Sequence, residues 1–293
     1  MRISIIGILA CSLFAESLYG QVRYEVPGKF DFAKIDLSGK SILPSGRIVA
    51  PAGELKMITR APYGLAISQD GRNAVVLHNN AISVVDLQAS EMQVSRYPSY
   101  DGNNKDIIKG AAFIGACFSS DNKRVFLSGG DKGKVWVFDV EARHLVDSFD
   151  LNLAHPESNN EAFATDLVLD EVNDDLWVLD RAWFQLHRFS LKTHQIKASI
   201  PTGRIPFGIA IAQKQHKVLV ANVGMYAYPV VPGVNEKTKD SFLLHFPPYG
   251  AHSKESREGV EFEGRFIPGL GDPNSDQSMS VWVVDTRTND VIA

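Results

Sequence analysis

Ala111–Asp150 reads AAFIGACFSSDNKRVFLSGGDKGKVWVFDVEARHLVDSFD, four β-type runs separated by three polar turns. The runs are Ala111–Phe118, Arg124–Ser128, Lys134–Val140 and Leu145–Asp150; the turns are SSDNK, GGDKG and EARH. Valine and aromatic residues fit a pleated, half-buried surface. Gly, Asp and Asn fill the turns because they tolerate positive φ or bond their own backbone. The same order recurs along the chain. ISVVDL (82–87), KVWVFDV (134–140), QLHRFSL (185–191) and SVWVVD (280–285) are versions of one phrase. A second β run precedes each: AVVLH (74–78), RVFLS (124–128), LWVLD (176–180) and KVLVA (217–221).

A period of about 40–50 residues with several short strands per unit is the signature of a β-propeller. Tyr63–Tyr97 and Thr165–Ile200 repeat the order of the second unit. The fourth unit begins at Phe207–Ile211, turns through AQKQHK, and lays down its second strand at Lys217–Ala221. Its third strand arrives only at Ser280. The expected fold class is therefore all-β, with about four blades in this chain. The fourth blade lacks an outer strand, which either lies outside this sequence or, in a four-bladed ring, comes from Gly46–Met57.

Strands in such a blade alternate direction, so the links between first and second (A–B) and third and fourth (C–D) strands share one end. The B–C links and the D–A connections between blades share the other. The A–B and C–D links are tight: SQDGR, SSDNK, EARH and LKTH. The long connections, Pro98–Lys109, Asn152–Phe163 and an insertion at 223–279, all fall on the opposite end. Long connections inside a compact domain carry function more often than tight turns do, so that end is the candidate working face. The insertion holds Met225, Tyr226, Tyr228, Phe242, Phe246, Tyr249, Phe262 and Phe266 among several Pro and Gly. Such apolar content predicts a folded flap.

The composition is that of a globular protein, 44% hydrophobic and 22% charged. A net charge of −4, with no basic cluster, gives no electrostatic reason to expect nucleic acid as a partner. Residues 1–20 read as a signal peptide: Arg2, an apolar stretch from Ile3 to Phe14, then the small and polar AESLYG. The stretch is shorter than the about 20 apolar residues of a membrane span, so no transmembrane segment is expected. Cleavage near Gly20 would remove Cys11 and leave Cys117 alone, with no intrachain disulfide. The expected location is the periplasm or cell surface of a bacterium. Residues 21–60 then lead into a partial propeller over 61–293.

IPTGRIPFGIAIAQKQHKVLVANVG (200–224) and VWVVDTRTNDVIA (281–293) resemble the YVTN-type propeller repeat, and APYGLAISQDGRNAVVLHNNAISVVDL (61–87) resembles it in another copy. The resemblance covers Ala61 to Ala293 and implies a ring of about seven blades, of which this chain holds about four. Copy three departs from the pattern, with DEVNDD at 170–175 where an S-x-D-G turn is expected. REGVEFEGRFIPGLGDPNSDQSMSVWVVD (257–285) is similar to a segment of exported bacterial proteins that join a propeller to a C-terminal alkaline-phosphatase-like phosphoesterase domain. No catalytic residue of such a domain has a counterpart in this sequence.

Chemistry is sparse. The eight His show no H-x-H, H-x-x-x-H or H-E-x-x-H spacing, and no metal or cofactor is expected from spacing. His78, His187 and His216 read as structural; His155, His245 and His252 lie in loops of the candidate face. DGNNKD (101–106) lacks the order of a calcium loop and reads as a solvated turn, as does DEVNDD. No G-x-S-x-G, P-loop or dinucleotide motif occurs. Trp136, Trp177 and Trp282 read as packing between blades. The residues expected to line the mouth of the working face are Arg181, Trp183, Arg204, Asn222 and Tyr226.

These features point to an exported propeller that serves as a ligand- or domain-binding scaffold, the N-terminal part of a larger phosphoesterase-type protein. Its expected partners are its own C-terminal domain, another exported protein, or a small-molecule ligand. The alternative is a propeller enzyme in its own right, a lactonase-like hydrolase. No catalytic constellation is visible at recognisable spacing, which leaves the enzyme question open at this level.

Overall fold

The computed structural model describes residues 25–37, 39–89, 91–97, 113–158, 160–235, 237–242, 249–250 and 252–293. The expected signal peptide, the 98–109 connection with its DGNNKD turn, His245 and Phe246 lie outside them. The chain divides into two units, Met1–Met57 and Ile58–Ala293. The described part of the first carries a small hairpin, β1 (Ser41–Ile42) with β2 (Ile48–Val49). Gly46, at φ +73, makes the turn between them, and its N–H donates to Leu43 O at 2.8 Å.

The second unit is four successive antiparallel blades of a β-propeller. Blade one is β3 (Pro62–Ile67), β4 (Asn73–His78), β5 (Ala81–Asp86) and β6 (Gln93–Tyr97). Blade two is β7 (Ala116–Phe118), β8 (Arg124–Ser128), β9 (Lys134–Asp139) and β10 (His144–Asp150). Blade three is β11 (Ala164–Asp170), β12 (Asp175–Asp180), β13 (Gln185–Ser190) and β14 (Ile196–Pro201). Blade four is β15 (Pro206–Ala212), β16 (Lys217–Asn222) and, after the insertion, β19 (Val281–Asp285). Its outer position is begun by the chain's own C-terminal residues. Val291 bridges Val284, and Ile292 N and Val283 N bond Val283 O and Ala293 O at 2.8 and 2.7 Å. Within the first unit β2 pairs with β1, and the described strands of the fourth blade are β15, β16 and β19.

The turn residues act as their chemistry suggests. In the A–B turns of blades one and two, Ser68 and Ser119 hydroxyls donate to Asp70 and Asp121 Oδ1, both at 2.6 Å. Those bonds hold each carboxyl below its usual range. Asp86 and Asp139, closing strand C, each accept two backbone N–H groups of the next turn. DEVNDD is not the solvated turn that its charge suggests. It forms one 3-10 turn (Glu171–Asn173), with Asp174 left-handed at φ +58, and it buries Asp170 and Asp175. Asp175 is paired with Arg188 at 2.6 Å and Lys197 at 2.7 Å. A charge can be buried there only because two cations answer it.

The core is a stack of blade on blade. Val75, Leu77, Ile82 and Val84 of blade one pack on Phe118, Val125, Leu127 and Phe138 of blade two. Phe126, Val135 and Val137 point the other way, onto Leu167, Leu176 and Val178 of blade three. Trp177, Leu179 and Leu186 then face Val218, Val220 and Val284 of blade four. Blades two and three bury both faces, which is why RVFLS and LWVLD are almost unbroken apolar runs. The far face of blade four, with Leu219 and Val281, is exposed.

Strands A lie innermost, and glycine sets how closely they approach. A Cβ at Gly64 would collide with the backbone of Ile114, and one at Gly115 would come within 2.8 Å of Asp166 Cα. At Gly208, the equivalent position in blade four, a Cβ would meet only Ala221 Cβ at 3.9 Å. Gly64→Ala and Gly115→Ala should each cost about 1–3 kcal/mol through forced separation of blades, whereas Gly208→Ala should be neutral or slightly stabilising. Urea unfolding midpoints of the three variants measure the contrast, and equal losses at all three positions would refute it.

Candidate functional site

Each strand B ends at the same end of its blade in a buried polar residue, His78, Ser128, Asp180 and Asn222, and the described B–C links lie there too. Their side chains close local backbone accounts. His78 bonds Arg60 O and Ser83 Oγ, at 3.2 and 2.9 Å, and burial pushes its pKa down, so the ring stays neutral. Ser128 Oγ accepts from Gly115 N at 2.9 Å. Asp180 Oδ1 accepts from Phe163 N and Ala182 N, at 3.0 and 2.9 Å. Asn222 donates to Ser280 Oγ at 3.3 Å, while its Oδ1 is buried without a hydrogen-bond partner.

Arg181 and Trp183 sit in the short B–C link of blade three. Phe184, at φ +53, makes that turn. The Arg181 guanidinium lies 4.7 Å above the Phe163 ring, a cation–π contact. Phe163 meets Phe113 edge-on at 5.1 Å, and Phe113 meets Phe207 at 5.8 Å. Two rings from connections and one from β15 thus form one half-buried aromatic patch beside Arg181. Trp183 stacks on His155 at 4.1 Å and 18°. His155 Nε2 lies 3.1 Å from Gln185 Oε1, and His187 stands beneath, bonded to Ser199 Oγ at 2.9 Å. Phe113, Phe163, His155 and His187 join Arg181 and Trp183 only through folding, and no motif spacing announces them.

Arg204 is placed differently. It is buried, and its Nη1 lies 2.8 Å from Met225 O, 2.7 Å from Asp272 O and 2.8 Å from Ser278 Oγ. Arg204 N also donates to Gln277 O at 2.7 Å, and Gly224 N to Arg204 O at 2.9 Å. This one side chain gathers both necks of the insertion. Beyond it the insertion is folded: α1 (Lys254–Glu258) leads into a hairpin of β17 (Gly259–Phe262) and β18 (Arg265–Pro268). Ser253 caps α1 by accepting from Ser256 N at 3.1 Å, and Ile267 is buried. Tyr226 lies at the near neck, its ring edge-on to Tyr228 at 6.1 Å. Asn222 packs against Gly203, where a Cβ would come within 2.6 Å of its Nδ2.

A carboxyl also lies between the innermost strands. Asp166 on β11 accepts from Leu167 N at 2.9 Å and from Ile209 N of blade four at 3.2 Å. Burial nevertheless pushes its pKa above the usual carboxylate range. Cys117 is half-buried, and burial pushes its thiol up as well, which disfavours the nucleophilic thiolate.

No protein-family model matches the chain, and no curated protein does. Among solved structures, it is similar to Pseudomonas aeruginosa periplasmic gluconolactonase PpgL, at 19% identity and TM-score 0.45, over 62% of this chain and 55% of that one. It is also similar to Kuenenia stuttgartiensis hydrazine synthase, at 10% identity and TM-score 0.43, over 60% of this chain and 46% of that one. A Lactobacillus plantarum protein matches at 14% identity and TM-score 0.46, over 62% and 56% of the two chains. The chain spans about half the length of these structures. Likenesses this distant identify no activity, and the propeller assignment stands on the strand pairing itself.

Because hydrogen bonds to a charged group are worth about 1.5–3 kcal/mol, Arg204→Ala should raise local opening of the insertion about tenfold or more. Limited proteolysis should then cut within 225–279 faster while blades two and three stay intact. Unchanged cleavage would contradict the anchoring role.

Proposed function

We propose that this chain is an exported propeller module that binds a partner domain or ligand through the face carrying the long connections. The observation that carries the reading is the insertion: its described part is folded and pinned at both necks by Arg204, at the same end of the strands as the Asn152–Phe163 connection. The residues beside it offer an aromatic patch, a guanidinium and a stacked imidazole, which suit a protein surface or a planar or anionic group. The similarity of 257–285 to propeller–phosphoesterase proteins supports a phosphoesterase domain as the partner. In that arrangement the propeller positions or gates the domain and performs no hydrolysis itself. The N-terminal pattern of Met1–Gly20 supports export.

A second reading, a lactonase-like propeller enzyme, is favoured by the half-buried carboxyl of Asp166, held between the innermost strands by Leu167 N and Ile209 N, where burial raises its pKa. One experiment separates the two. A photo-crosslinking residue is placed at exposed Tyr228 or Val230 in the flap, or at exposed Val172 on the opposite end. The module reading expects crosslinks to a phosphoesterase domain from the flap positions and not from Val172. Equal crosslinking from both ends contradicts it. So does hydrolysis of p-nitrophenyl phosphate or δ-gluconolactone by purified residues 21–293 above the buffer rate.

A further inference from the structure

Asp180 and His187 face each other across the β12–β13 turn, His155 comes from an earlier connection, and one ligand-type atom from each lies within 4.8 Å of the other two. Asp180 and His187 are fully buried on the paired strands β12 and β13, where the register sets His187 opposite Val178. His155 arrives from the D–A connection and is the partly exposed member. Backbone N–H groups occupy Asp180 Oδ1, which leaves Oδ2 to face the cluster. Oδ2 stands 3.4 Å from His187 Nε2. That is long for a hydrogen bond between a carboxylate and an imidazole, where about 2.7–2.9 Å is usual. It matches two ligands of one tetrahedral ion, because bonds of about 2.0–2.1 Å hold their ligand atoms about 3.3–3.4 Å apart. The blade-one counterpart is an ordinary hydrogen bond, His78 Nε2 to Ser83 Oγ at 2.9 Å.

The surroundings have the form of an outer ligand shell. His187 Nδ1 lies 2.9 Å from Ser199 Oγ, and a proton donated there leaves the lone pair on Nε2. Stacking on Trp183 and the Gln185 contact fix the His155 ring. We propose that Asp180, His187 and His155 form a divalent-metal site and that its ion is Zn²⁺. Two imidazoles and a carboxylate favour a borderline transition metal over Ca²⁺ or Mg²⁺. Three protein ligands leave a fourth position for water or for a donor atom of a ligand. The site lies on the face assigned to binding, but it does not depend on which partner that face takes.

The test is calorimetric titration of the purified, chelator-stripped chain with ZnCl₂. One zinc per chain is expected, with a melting temperature that rises as zinc is added and does not respond to CaCl₂. His155→Ala removes a ligand from a loop and leaves the buried pair in place, and it should weaken zinc binding at least about 100-fold. Ser199→Ala, which touches no ion, should weaken it by about 10–100-fold. Circular dichroism confirms that both variants are folded. Absence of zinc uptake by the parent chain overturns the site, and so does uptake that is unchanged in both variants.

Discussion

Alternate residues of each second strand pack in opposite directions, and the rest of the molecule depends on that division. Leu176 and Val178 face blade two, while Trp177 and Leu179 face blade four. Magnitudes show why this term dominates. Truncating one such large side chain to alanine costs about 2–5 kcal/mol, whereas a turn hydrogen bond contributes about 0.5–1.5 kcal/mol net. The Ser–Asp turns and buried polar strand ends therefore set register and direction, and the blade faces supply the cohesion. Glycine enters where the innermost backbones come closest, at Gly64 and Gly115.

Stacking in series leaves the two ends of the strands free for different uses. At one end, short links bond to each other across blades: Asn122 Oδ1 accepts from Gln69 N at 2.7 Å, and Glu171 Oε2 from Ser120 N at 2.8 Å. That end is closed and regular. At the other, the D–A connections and the insertion have room to grow without disturbing the blade faces. Arg204, Arg181, Trp183 and the Asp180–His187–His155 cluster all stand there because the second strands end there. The scaffold determines where a site can lie, and the connections determine its chemistry.

Much of the fold was legible because period-two patterns and turn chemistry are local. The second and third strands of each blade were readable from runs such as LWVLD and KVWVFD, whose two buried faces leave no polar alternation to confuse. Other features depended on contacts that no local pattern carries. The first strand of blade two, expected over Ala111–Phe118, is confined to Ala116–Phe118, with 111 and 112 outside the described residues. DEVNDD reads as solvated from its charge alone, because Arg188 and Lys197 approach it only across the blade. Among the candidate residues, Arg181 and Trp183 do stand together on one link, but Arg204 spends its guanidinium on the insertion. His187 and Asp180 lie on successive strands and are neighbours by that pattern, whereas nothing in the spacing shows that folding brings the loop residue His155 to them.

The most direct measurement of the central claim, that opposed blade faces hold this fold together, is native-state hydrogen exchange resolved by residue. The account predicts the slowest amide exchange in β8, β9, β12 and β13, the middle strands of the two blades buried on both sides. Faster exchange is expected in β3, β15 and β19, at the two ends of the stack. Uniform protection across all four blades, or slowest exchange in blade one or blade four, would contradict it.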